Sequence, residues 1–102
     1  MAMDTPAYTL RFPKDYDTDE EIWKAKGYAV VEVEVSGPVA ARYSLTIYHP
    51  VRLAQDIETE LAEVGAVFAE PNVVVVTAVG RDEIEQAVEV LARRGFRGLA
   101  PE

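Results

Sequence analysis

Between residues 28 and 36 valine alternates with glutamate, Val31, Val33 and Val35 on one parity and Glu32 and Glu34 on the other. A period of two is the period of a strand, because successive side chains leave a pleated backbone on opposite sides. The segment is therefore predicted to be a strand with one buried and one wetted face. Such a strand needs hydrogen-bonded neighbours and an apolar layer over its valines, and the rest of the chain has to supply both.

The first neighbour follows directly. Gly37 and Pro38 are turn residues, and in residues 39–48 Tyr43, Leu45 and Ile47 alternate with Ser44, Thr46 and Tyr48, which predicts a hairpin. A helix is predicted from Pro50, since proline suits a first turn whose N–H would be unpaired in any case. Its apolar residues Ala54, Ile57, Leu61 and Val64 recur at three- and four-residue spacing until Gly65 stops it. Residues 66–69 and 73–79 flank Glu70, Pro71 and Asn72, which predicts a second hairpin. Its latter strand is apolar except at Thr77 and is expected at the centre of the sheet, covered on both faces. A second helix is expected to start at residues 80–82, with Ile84, Ala87, Val88 and Leu91 as its stripe and Gly95 as its stop. Ahead of all this, residues 8–12 read as a short strand or arm ending at Pro13. Thr18 and Glu21 have capping-box spacing for a short helix over residues 19–26 that carries Ile22 and Trp23 and stops at Gly27.

From Tyr28 the order is strand, strand, helix, strand, strand, helix, with an internal echo of Leu61, Ala62 and Gly65 in Leu91, Ala92 and Gly95. This predicts an α+β fold: a two-layer sandwich with an antiparallel sheet of four or five strands and both helices on one face. The order resembles a ferredoxin-like sandwich, either as a permuted ββαββα chain or, if residues 96–100 add a last strand, in the usual βαββαβ order. Residues 1–27 form an N-terminal arm in this scheme and residues 28–102 the core domain. Superfolds of this type host many unrelated functions, so function has to be sought in particular residues.

Composition removes several classes. Eighteen acidic against ten basic residues give a net charge of -8, which disfavours nucleic acid and anionic membrane as partners. The chain has no cysteine, which removes disulfides, thiolate nucleophiles and zinc or iron-sulfur ligands, and suits a reducing compartment. No apolar run approaches a membrane span and no basic, apolar and cleavable series opens the chain, so a cytoplasmic location is expected. No cofactor and no metal are expected. Asp15, Asp17 and Asp19 match the first ligand positions of a calcium loop, but Glu20 stands where glycine makes the sharp turn and Lys26 where the closing glutamate belongs. Arg94, Gly95 and Phe96 echo the opening of an RNA-binding signature, yet Arg97 and the helix-end context do not fit it.

Three functional readings remain. The first is a non-enzymatic interaction domain, homodimeric, binding a basic protein partner in the manner of inhibitor or immunity proteins, with Asp56, Glu60 and Glu63 as its acidic surface. Val74 and Val76 are expected on an open sheet face covered either by the arm, through Tyr8, Leu10, Phe12 and Trp23, or by a second copy. The second is a small-ligand sensor using Tyr48 and His49 beside a helix start. The third is a small dimeric enzyme in which His49, the only histidine, moves a proton.

Overall fold

In the computed structural model, which describes residues 6–37, 40–64 and 70–102, the valine–glutamate segment is a strand lying inside the sheet. This strand, β2 (Tyr28–Val35), pairs antiparallel with β1 (Tyr8–Arg11) on one side and with β3 (Ala41–Tyr48) on the other. A short β4 (Val73–Val75) then pairs with the end of β3, giving the order β1-β2-β3-β4. Three helices accompany the sheet: α1 (Glu20–Lys26) between β1 and β2, α2 (Pro50–Val64) after β3, and α3 (Arg81–Arg93) after β4.

Strand parity decides where the core sits. Ala29, Val31, Val33 and Val35 stand opposite Ile47, Leu45, Tyr43 and Ala41, so all eight face one side, here the inner face. There α3 lays down Ile84, Val88 and Ala92, all fully buried, as its three- and four-residue spacing requires. Phe96, just past the helix, stacks on Tyr43 and meets Tyr8 edge-on, closing the core over β1. Tyr16 is buried in the same cluster, between the rings of Phe12 and Trp23, and its hydroxyl donates to the Val79 carbonyl at 2.9 Å. Residues 8–27 thus share one core with the strands that follow.

Mixed α+β architecture is as the periodicities indicate, but three expectations are corrected. Thr46, Ile47 and Tyr48 pair with Val73, Val74 and Val75 in parallel, so the sheet is not wholly antiparallel and does not follow the ferredoxin-like arrangement. The physical reason is α2: a helical crossover returns the chain to the end of the sheet from which β3 started, and the next strand then runs alongside β3 in the same direction. Secondly, the two long helices do not share a face. α3 covers the inner face, whereas α2 meets the other through Arg52 and Asp56, which reach the outer-face residues Tyr28 and Tyr48. Thirdly, β4 is the outermost strand among the described residues and is only three residues long; Val76 still donates its N–H to the Tyr48 carbonyl at 2.9 Å, and the side chains of Val76 and Val79 join the core. The expected strand over residues 66–69 lies outside the described residues. Residues 96–100 form no strand; instead the tail runs beside β3, with Glu102 N–H donating to the Arg42 carbonyl at 2.7 Å and Asn72 clamping Ala100 by a reciprocal pair of hydrogen bonds at 2.7 Å each.

Local capping also departs from the spacing rule. Asp19 occupies the cap of α1 without a side-chain hydrogen bond, so the Thr18–Glu21 capping box is not formed. Glu20 caps a different helix: its carboxylate accepts the Arg81 N–H at 3.0 Å at the start of α3, where a negative charge faces the positive end of the dipole.

Burial gives Tyr16 a measurable alkaline signature. Desolvation, reinforced by Glu20 and partly offset by Arg81, pushes its phenol from 10.0 up to about 12. An unfolded chain loses this proton near its ordinary value while the folded chain keeps it, so the stabilisation is complete below pH 10 and is lost as pH rises toward 12. Melting temperature is expected to fall across that interval in the wild type, and the fall should be shallower in Tyr16→Phe when thermal melts are compared over the same pH series.

Candidate functional site

Pro13 shapes a groove on the described surface. Continuing the β1–β2 register past Arg11 and Glu32 would set Pro13 opposite Val30, but proline has no N–H to give to a ladder and the chain leaves the sheet there. Two hydrogen bonds fix the backbone alternation along β2: Ser36 N–H donates to the Ala7 carbonyl at 2.9 Å, and His49 N–H donates to the Gly27 carbonyl at 2.8 Å. Even-numbered residues of β2 therefore direct N–H and C=O toward β1, and odd-numbered ones toward β3. With β1 ended, the outward backbone groups of Tyr28 and Val30 meet no protein partner among the described residues.

The space they face is a groove of about 460 Å³, within the range of small-ligand and peptide pockets. Phe12, Pro13 and Trp23 form one wall, Tyr28 and Val30 the floor, and the groove continues over Ser44 to Glu102 in the tail. Val30 is 39 % exposed on the outer face, at a parity it shares with Tyr28, Glu32, Glu34 and Ser36. Trp23 is half-buried, with the Lys26 ammonium 4.9 Å from its ring. Beyond the groove the outer face is a charge lattice: Arg11 pairs with Glu34 at 3.3 Å, and Arg42 with Glu32 at 3.0 Å. Around the groove these two guanidinium groups and the Lys26 ammonium are matched by three carboxylates, Glu32, Glu34 and Glu102.

Tyr48 and His49 lie at the joint between β3 and α2. The Tyr48 ring is buried against Tyr28, and its hydroxyl lies 2.9 Å from Asp56 Oδ2 and 3.2 Å from Glu70 Oε2. Burial first, then the hydrogen bond to Asp56 and the charge of Glu70, push this phenol far above its ordinary value, so it stays a neutral donor. Arg52 completes the joint, donating to Asp56 Oδ1 at 2.8 Å and to the Lys26 carbonyl at 3.0 Å. His49 Nδ1 accepts the Val51 N–H at 3.1 Å, capping the start of α2. Both residues anchor α2, Tyr48 through its hydroxyl and His49 through Nδ1.

Of the expected interaction residues, Asp56 is taken up in this joint, while Glu60 and Glu63 are exposed on the second half of α2. Val76 is buried and Val74 packs against the same inner core, so neither lies on the open face. Val73 and Val75 do, Val75 with 50 % of its surface exposed. Asp17 is held by Arg81 through contacts of 2.7 and 2.9 Å, and no group of three or more metal-ligating side chains is found among the described residues. No described helix is long and apolar enough to cross a membrane. Sequence reasoning missed the groove; its one trace in the sequence is the apolar Val30 on the parity of Glu32 and Glu34, while the place of Pro13 opposite it follows only from the β1–β2 register.

No family model matches the chain, and neither the curated proteins nor the solved structures yield a significant match.

Proposed function

We propose that the protein is a non-enzymatic interaction domain that binds a basic protein partner, in the manner of an inhibitor or immunity protein, through the outer face of its sheet. The observation that carries this reading is the groove at Trp23 and Val30: aromatic walls and an exposed aliphatic floor, bordered by a lattice of paired charges. Apolar surface of this type, rimmed by polar groups, is what partner binding buries. A net charge of -8 adds a long-range field that speeds encounter with a cationic partner and selects against anionic ones. Ligand sensing or proton transfer at Tyr48 and His49 has less support, since Asp56, Glu70 and the Val51 N–H already engage those groups.

The test is affinity capture with the tagged protein at low and moderate salt, run beside Val30→Arg. Val30 points outward, so the variant is expected to fold, which circular dichroism checks. A basic protein retained by the wild type at low salt, weakened at moderate salt and lost with Val30→Arg is the expected result. Retention of nothing at either salt, or equal retention by Val30→Arg, would remove the proposal.

A further inference from the structure

We infer that the open edge of β2 at residues 28–30 receives an extended basic segment of the partner by strand addition. The inference rests on the interaction reading above and specifies its geometry. Val30 and Tyr28 each present an N–H and a C=O toward the side that β1 vacates, two residues apart, which is the repeat of a strand ladder. A small molecule seldom matches that repeat; an extended backbone matches it by construction. The vacated space is already shaped as a slot in line with β1, because Pro13 turns the chain away and the Phe12 and Trp23 rings stand beside the opening.

Charge decides between occupants. A second copy would bring another net charge of -8 to the same edge, whereas a cationic segment meets a chain of opposite net charge, with Glu32, Glu34 and Glu102 beside the slot among Arg11, Arg42 and Lys26. An aliphatic side chain of the added segment rests on Val30 and the Trp23 edge, and flanking lysine or arginine side chains reach the carboxylates. The added strand is short, about three residues at roughly 3.3 Å each, so affinity depends on the walls and charges as well as on the backbone pairing.

Trp23 is the only tryptophan and reports on its own groove. Capped peptides of alternating lysine and valine are titrated into the full chain while Trp23 fluorescence and the Val30 amide resonance are followed. Parallel titrations use a glutamate–valine peptide and two lysine–valine twins N-methylated at every second amide, one in each phase. The lysine–valine peptide is expected to saturate both signals, the glutamate–valine peptide to bind at least tenfold more weakly, and at least one N-methylated twin to lose tenfold or more. Val30→Pro on the protein side should lose binding to the same degree, since this N–H faces away from β3 and its removal breaks no bond of the β2–β3 ladder. Should that variant fail to fold, the N-methylated twins still decide. Full affinity in both twins overturns strand addition while leaving the groove as a docking surface. No saturable response to the lysine–valine peptide overturns it as well. A solution mass twice 11.3 kDa that Val30→Pro halves would assign the edge to a second copy instead.

Discussion

Tyr16→Ala is expected to lower the unfolding free energy by about 3–5 kcal/mol, the range for truncating a buried aromatic to alanine. Tyr16 is 1 % exposed, although it lies in the turn region between β1 and α1, where side chains are ordinarily solvated. Its ring joins three parts of the chain: Phe12 at 4.7 Å, Trp23 at 6.1 Å, and, through the hydroxyl, the Val79 carbonyl 63 residues away. Removing it opens a cavity, leaves the Val79 carbonyl without its partner and frees Trp23, the wall of the proposed groove. Tyr16→Phe should separate these effects, keeping the packing and losing about 1–2 kcal/mol for the hydrogen bond. Asp17→Ala, which breaks only an exposed ion pair with Arg81, should cost under about 1 kcal/mol. Urea unfolding of the three variants beside the wild type gives the ranking, and equal values for Tyr16→Ala and Asp17→Ala would show that the arm is not part of the core.

Two of the strands and both long helices were legible because their residues carry a period. The Val31, Val33, Val35 series fixes its own face, and Ile84 and Val88 fix the side of α3 that is buried. Val73 to Val76 carry no such information: four identical residues satisfy either face and either direction, so nothing local distinguishes a central antiparallel strand from a short parallel edge. The placement of α2 was hidden for a related reason. Its apolar stripe suggests burial along Ala54, Ile57 and Leu61, yet Leu61 stays 41 % exposed and the helix is tied down by Arg52 and Asp56, polar residues whose partners are tyrosines on other elements. Long-range polar contacts leave no periodic trace.

Much the same holds for the candidate site. Asp56, Tyr48 and His49 stood out in the sequence as chemistry-bearing groups, and the structure uses their polar atoms to hold α2 in place. What is left accessible is a backbone edge, created where Pro13 interrupts a pairing that Val30 would otherwise have made. Backbone groups are the same at every residue except proline, so an open edge becomes visible only once the register of the neighbouring strand is known.

The joint that holds this edge in place turns on Gly27, and Gly27→Ala is expected to destabilise the protein by about 2–4 kcal/mol, combining left-handed strain with overpacking. Gly27 closes α1 with φ 69° and ψ 23°, its N–H donating to the Trp23 and Lys24 carbonyls, and its own carbonyl accepts the His49 N–H. A side chain there is strained on two counts. The left-handed backbone disfavours any Cβ, and the Cβ would lie 2.9 Å from Arg52 Cβ and 3.3 Å from His49 Cβ, stem atoms that move only if α2 moves with them. Gly95 supplies the control, because its φ is 68° but a Cβ would meet nothing within 4 Å, so Gly95→Ala should show the backbone strain alone, about 1–2 kcal/mol. The difference between the two variants in urea unfolding measures the crowding against α2. Because Arg52 also stacks on Tyr28 at 5.5 Å, Gly27→Ala should shift the groove floor as well, weakening the lysine–valine peptide where Gly95→Ala leaves it unchanged. Equal stability loss in the two variants would mean that α2 yields freely at its first turn and does not brace the edge of β2.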